Sequence, residues 1–381
     1  MTAKQSKALI ILAIVVLLCL GIIYRAKVDM SDFEVNYKAG QRIRDGETLY
    51  RPTDGHWQFK YLPFSAFLYV PLTLLPLAQA KAVWFGAVVL AAVLIFFISS
   101  RLIDFKTNTC FSPAFFAGLI LARYFLREFQ LGQINALITL LLLVTIWLLS
   151  RSSGLSAGAA GGALVGLAAA LKPYAVVFFP YFAVRKKWLA LAAGLAVLSL
   201  ATFAPALFYG WKGNLAVLGE WKSSLAASTP SLLAAQDNIS VLAFVMKRTH
   251  DQSLSLTIYG IILAGLAGLV LFLMHRGSRV PKPAVLDGFL LLALIPLISP
   301  LGWDYTFLSA APALMLICRH FDKYRPFWRG FLVFNSLVIC LSLYDLMGRE
   351  LYSAFMASSV ITLVFLVFVG YLAYLRIKGH A

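Results

Sequence analysis

The chain has 381 residues, of which 61% are hydrophobic and 13% charged, whereas a soluble domain carries roughly 45–50% apolar and about 25% charged residues. One soluble core cannot bury that excess of apolar surface, so lipid has to solvate much of it. The net charge of +17 would suit nucleic acid, but the basic residues stand in short clusters between apolar runs and not along one polar face, which favours membrane lipids as partners and argues against nucleic acid.

In chain order, apolar runs fall near residues 8–24, 61–79, 82–100, 111–126, 133–150, 154–171, 173–184, 188–209, 254–274, 284–299, 305–318, 329–345 and 351–376. Lys4 and Lys7 before the first run resemble a signal-peptide start. That run is long, however, and no small-x-small cleavage site precedes Arg25, so it reads as a retained first span. The clusters Arg101/Lys106, Arg151, Arg185/Lys186/Lys187, Arg276/Arg279/Lys282, Arg319/Lys323/Arg325/Arg329 and Arg376/Lys378 fall on one side, which the positive-inside rule makes cytoplasmic. Lys4 and Lys7 join them only if one run between Tyr24 and Arg101 does not cross. The segment 61–79 carries Pro63, Pro71 and Pro76, which break or kink helices, and is expected as an interfacial or re-entrant helix. The expectation is an all-α polytopic membrane protein, a single integral membrane domain over 1–381 with about twelve transmembrane helices and both termini cytoplasmic. The inner face then holds 17 of the 33 Lys/Arg and only Asp104, Asp287 and Asp322 of the 16 acids.

Two loops on the outer face are long. The first, 25–60, contains Ser31-Asp32-Phe33-Glu34, which has the form of a capping box with Ser31 as cap and Glu34 reaching back. Gly46 is a helix stop, so a short helix over 32–45 is expected at the membrane surface. The second, 210–253, holds Trp211, Trp221 and the patch Gln236-Asp237-Asn238. Cys19, Cys110, Cys318 and Cys340 are scattered without metal spacing and read as packing residues.

Ionisable groups at membrane depth are costly, so each is a candidate for function. On this topology they gather on the outer face: Asp29 and Asp32; His56 and Lys60; Arg123, Arg127, Glu128, Gln133 and Asn135; Lys172; Asp304 and Tyr305. Each also has a plain structural reading. Asp32 suits a first helical turn through the dipole, and Lys172 before Pro173 suits a snorkelling lysine. Arg127 suits a pair with Glu128 or head groups, Gly132-Gln133 a turn, and Asp304 an ion pair with an arginine. Together, an outer carboxylate among cations fits a general base that takes a proton from an acceptor hydroxyl while cations hold a departing phosphate. No nucleotide-binding loop is present.

The order of short motifs resembles glycosyltransferase family 87. Its opening corresponds to Asp32-Phe33, Tyr37, Ala39-Gly40, Asp45-Gly46, Leu49-Tyr50, Phe59-Lys60-Tyr61-Leu62-Pro63, Pro71-Leu72, Leu75-Pro76 and Trp84. Leu131-Gly132-Gln133-Ile134-Asn135, Gly166 to Leu171-Lys172-Pro173, Ser299-Pro300 and Trp303-Asp304 follow in order. The resemblance implies a GT-C-type fold with surface helices in the first outer loop. It also implies an inverting hexosyltransferase that takes mannose from a polyprenyl-phosphate-sugar donor to a lipid or glycan acceptor. On it, Asp32 is the catalytic base and Lys172 lies near the donor phosphate; beside the resemblance, the outer cations Arg127, Lys60 and Arg123 are expected as further phosphate contacts. Gln133, Asn135, Asp304, Tyr305, Glu128 and His56 are expected to orient substrate. The family's Trp-Asp pair is usually followed by His where this chain has Tyr305, so an imidazole's role does not carry over. Asp29 and Asp32 are three residues apart and not paired as in metal-binding relatives, so neither metal nor cofactor is expected. A transporter or flippase of a lipid-linked glycan shares these spans but predicts mid-membrane ionisable groups and related halves. A scaffold explains the spans without the clustering.

Overall fold

The computed structural model describes residues 30–104, 112–152, 154–249, 251–275 and 282–379. The expected first span, Asp29 and part of the basic cluster at 276–282 lie outside them. All regular structure among the described residues is helical, apart from one isolated bridge between Asn238 and Trp303.

The first helix, α1 (Ser31–Arg44), begins where the hydrophilic loop was expected to order. Its start differs from the expected capping box. Met30 is the cap residue, its carbonyl accepts from Glu34 N at 3.0 Å, and no side chain caps the end. The Glu34 carboxylate pairs instead with Lys81 Nζ at 2.7 Å, 47 residues along the chain. Asp45 ends the helix and Gly46 follows with φ +68°, in the left-handed region open to glycine. Phe33 and Tyr69 are fully buried and Trp84 nearly so; Phe33 lies 6.0 Å from Tyr69 and 5.8 Å from Trp84, and this aromatic cluster clamps α1 to the bundle.

Residues 61–76 divide at their prolines into α2 (Pro63–Phe67) and a 3-10 turn at Val70–Leu74. The twelve residues Pro63–Leu74 are about 18 Å long as helix, short of a hydrocarbon layer of ~30 Å. Residues 77–79 belong to the next helix, α3 (Leu77–Leu102). A sharp turn of 119° joins α4 (Pro113–Leu131) to α5 (Asn135–Arg151), and α6 (Leu155–Leu171) follows. After Lys172 come a 3-10 turn, α7 (Phe178–Val184) and α8 (Trp188–Phe203). Small residues let α6 and α8 touch backbone to backbone: a methyl group on Gly162 would stand 2.0 Å from Ala190 O, and one on Gly166 2.3 Å from Gly194 O.

The stretch 210–253, expected as a loop, is largely helical: α9 (Ala206–Ser228), α10 (Pro230–Leu233) and α11 (Val241–Thr249). α9 turns by 87° from α8 and lies over the first loop, where Trp221 Nε1 donates to Lys60 O at 3.2 Å. The last third contains α12 (Gln252–His275), α13 (Pro283–Ile298), a 3-10 segment at Asp304–Ala310, α14 (Ala311–Arg319), α15 (Pro326–Leu341), α16 (Tyr344–Ala357) and α17 (Val360–Lys378). Every residue from Val285 to Leu297 is buried, so α13 is the axis of the bundle, as its uniform hydrophobicity requires. The run expected as one span over 351–376 is interrupted: Ser359 adopts φ +51° and separates α16 from α17.

By length and composition, α3, α12 and α17 are each long and apolar enough to cross a membrane. The bent pairs α4/α5, α8/α9 and α15/α16 raise the number among the described residues to six if each is one span. Twelve spans are not seen among the described residues, which leave out the expected first span and in which proline and glycine cut several apolar runs into helices of 17 residues or fewer. Two charge clusters mark the ends of α13. Near its start, Asp287 accepts from Arg376 Nη2 at 2.8 Å and from Arg185 Nε at 2.9 Å. The second lies beyond its other end.

Candidate active site

The second cluster is built where α1, the α4/α5 turn, the end of α6 and the start of the 304–310 turn meet. Gly132 caps α4 in the left-handed region at φ +69°. Its carbonyl accepts from Trp84 Nε1 at 2.8 Å, and a Cβ there would stand 2.6 Å from the Cβ of Phe33. Glycine is therefore required twice over, by backbone angle and by close approach. The turn it makes presents Gln133 to Asp32, in the first turn of α1.

Gln133 joins the parts. Its Nε2 donates to Asp32 Oδ2 at 2.5 Å and to the Tyr305 hydroxyl at 3.2 Å, and its Oε1 accepts from Lys172 Nζ at 2.9 Å. Lys172 also donates to Asn135 Oδ1 at 2.9 Å, and the Tyr174 hydroxyl donates to the same oxygen at 3.0 Å. Pro173 disfavours helical angles at the residue before it, so α6 ends and Lys172 turns extended (φ −144°, ψ 125°) into the site. Its ammonium is buried, between the rings of Tyr61 at 5.2 Å and Tyr305 at 5.8 Å. An ammonium has three N–H groups and two are used, so one remains for a ligand oxygen.

Glu128 reaches the site indirectly. It is fully buried, accepts from Asn135 Nδ2 at 2.7 Å and from Ala136 N at 2.9 Å, and so orients Asn135 from behind. Arg127, one residue before it, does not pair with Glu128. It points the other way and donates to Asp237 at 2.8 Å, and its Nε lies 3.3 Å from Asp304. Asp304 is buried, accepts from Tyr305 N at 2.8 Å and lies 3.5 Å from Arg123 Nη2. Arg123 is occupied in structure: it bonds the Ser342 hydroxyl at 2.7 Å, the Ser342 carbonyl, and the Tyr352 hydroxyl at 2.9 Å, tying α4 to the start of α16. Asp32, Gln133, Asn135, Lys172 and Tyr305 thus form one connected group, and Arg127, Asp304 and Arg123 a second beside it. Lys60 and His56 stand at the rim.

Burial lifts the Asp32 carboxyl above the usual carboxylate range; the Gln133 amide and the charges of Lys172, His56 and Arg127 pull it back. Burial likewise lowers the Lys60 ammonium, against the pull of Asp32. Asp32 Oδ1 has no hydrogen-bond partner among the described residues and is available to a proton. No group of three or more His, Cys, Asp or Glu able to hold a metal occurs among the described residues.

Tyr61, Tyr174 and Asp237 complete the site and were not singled out from sequence for it. Tyr61 lies in the Phe59 to Pro63 match and Tyr174 two residues after Lys172, so local signals existed. Asp237 is 110 residues from Arg127, and nothing local connects them.

The chain is 25% identical over 266 residues to the polyprenol-phosphate-mannose-dependent alpha-(1-2)-phosphatidylinositol pentamannoside mannosyltransferase of Mycolicibacterium smegmatis. The similarity covers 68% of this chain and 60% of that relative, so the chain spans less than two thirds of the relative's length. No solved structure matches it. The sequence pattern of glycosyltransferase family 87 matches residues 59–300, a stretch that holds Lys60, Arg123, Arg127, Gln133, Asn135 and Lys172; Asp304 and Tyr305 fall just beyond it and Asp32 well before it. With well over half its length so matched, the chain belongs to glycosyltransferase family 87.

Proposed function

We propose that this membrane protein transfers mannose from a polyprenyl-phosphate-mannose donor to a lipid or glycan acceptor on the extracytoplasmic side, with inversion at the anomeric carbon. The observation that carries the reading is the Asp32–Gln133–Lys172 chain, a half-buried carboxylate linked through one amide to a buried cation. In this step, Asp32 Oδ1 takes the acceptor hydroxyl's proton, the acceptor oxygen bonds to C1 of the sugar, and the bond from C1 to the phosphate oxygen breaks. The electron pair leaves with polyprenyl phosphate, whose new charge meets the third N–H of Lys172. Gln133 holds Asp32 ionised and aimed, Asn135 and Glu128 hold Lys172, and Arg127 with Asp304 lines the neighbouring wall. The family match and the mannosyltransferase relative support the donor class. The excess of Lys/Arg over acids at one end of the helices supports the sidedness.

The test is purified protein in vesicles given polyprenyl-phosphate-mannose and a phosphatidylinositol mannoside. The expected result is release of polyprenyl phosphate in step with extended glycolipid of inverted anomeric configuration. Lys172→Met is expected to lower transfer strongly and raise the donor KM. Movement of the donor across the bilayer without transfer would instead identify a flippase.

A further inference from the structure

One cavity lies outside the group just described. It has a volume of about 480 Å³, within the range of small-molecule sites (~300–1,000 Å³), and opens between one face of α1 and the turn at Pro52–Trp57. Its α1 wall carries Ser31, Glu34, Lys38 and Arg42, spaced by three or four residues and so aligned on one helical face. The opposite wall is aromatic: Phe59 is buried, whereas Trp57 is 51% exposed. Arg42 grips Asp54 with two hydrogen bonds of 2.5 and 2.8 Å, which fixes the turn against the helix. The Lys38 ammonium acts electrostatically on Asp54, and neither it nor the Ser31 hydroxyl has a hydrogen-bond partner among the described residues.

A flat exposed indole facing a row of hydroxyl, carboxylate and ammonium groups suits a sugar ring. The negative face of the indole attracts the C–H edge of a pyranose, and the polar row can both donate to and accept from its hydroxyls. The lining's formal charges cancel, Glu34 and Asp54 against Lys38 and Arg42, and with Glu34 also held by Lys81 the groove offers both acceptors and donors to a sugar's hydroxyls. Position decides which sugar. The cavity is lined by Ser31, directly before Asp32, and by Trp57, directly after His56, whose charge Asp32 feels. Lys172, the proposed phosphate contact, is reached from Asp32 through Gln133, and neither Gln133 nor Lys172 lines this groove. An inverting displacement needs nucleophile and leaving group on opposite faces of the anomeric carbon.

We infer that the groove between α1 and the 52–59 turn is the acceptor subsite, and that it takes a neutral mannose-type pyranose stacked on Trp57, with hydroxyls held by Lys38 and Glu34. This rests on the reading of Asp32 as the transferase base, but binding is measurable without turnover. The probe is soluble α-mannobiose, titrated into detergent-solubilised wild type, Trp57→Ala and Lys38→Ala and followed by saturation-transfer NMR, alongside transfer kinetics. Wild type is expected to bind the disaccharide, and Trp57→Ala to lose that binding. The same variant is expected to raise the glycolipid acceptor KM about tenfold, a loss of one factor of ten in affinity, with the donor KM within about twofold. Trp57→Phe should recover part of the loss, which a collapsed fold would not allow. Unchanged mannobiose binding in Trp57→Ala would overturn the subsite and leave Trp57 as a membrane-interface anchor; a rise confined to the donor KM would also overturn it. If wild type binds mannobiose through Trp57 but transfers no mannose, the groove stands and the transferase reading fails.

Discussion

At the scale of single residues, Asp32 is governed by its surroundings more than by its place on a helix. The dipole of α1 favours a carboxylate there, but burial opposes it and lifts the carboxyl above its usual range. A base works deprotonated, so transfer is expected to rise with pH through the Asp32 pKa, and the acid limb of kcat/KM should lie above the range of an exposed aspartate. Gln133→Leu removes the hydrogen bond that favours the ionised form. Its acid limb should move to higher pH, as measured by kcat/KM profiles between about pH 4 and 8; an unmoved limb would separate Gln133 from Asp32. The convergence of Asp32, Gln133, Asn135, Lys172 and Tyr305 was legible as a set of polar residues near helix ends. Their partners were not. Arg127 reaches Asp237 instead of its neighbour Glu128, and Glu34 leaves its own helix end for Lys81, because side chains one or three residues away were outcompeted by groups brought near only by folding.

At the scale of elements, two glycine contacts hold the site's scaffold. Gly132 allows α1 to approach the α4/α5 turn, and a methyl group there meets Phe33 at 2.6 Å while the backbone stays at positive φ. Gly132→Ala is therefore expected to cost about 1–3 kcal/mol and to lower transfer more than it lowers the melting temperature, because it pushes Phe33 and with it Asp32. Gly162 is different in kind, since it serves only the α6–α8 contact. Gly162→Leu should separate those helices and reduce the yield of monodisperse protein in detergent, as read by size-exclusion chromatography. The sequence marks helix ends well where proline or glycine stands, as at Gly46, Pro63 and Pro173. It marks crossings poorly, because an apolar run does not reveal that Ser359 interrupts it or that α9 turns aside at 87°.

At the scale of the whole molecule, α13 separates two charge clusters, one built around Asp287 and one that holds both Asp32 and Asp304. The first is a lock among helices: Asp287 and the Arg376 side chain are buried together, and Arg185 reaches in from the end of α7. Removing one member of a buried ion pair leaves a buried charge and typically costs about 3–5 kcal/mol. Asp287→Ala should thus lower thermal stability markedly in detergent, and a melting curve like wild type would contradict the lock. The second cluster carries the proposed chemistry, and its Asp32 carboxylate is the most direct point of attack. The measurement is the rate of mannose transfer from polyprenyl-phosphate-mannose by Asp32→Asn, at matched fold stability. The account predicts a fall of about 10²–10⁴-fold with the donor still bound, and transfer at the wild-type rate would contradict it.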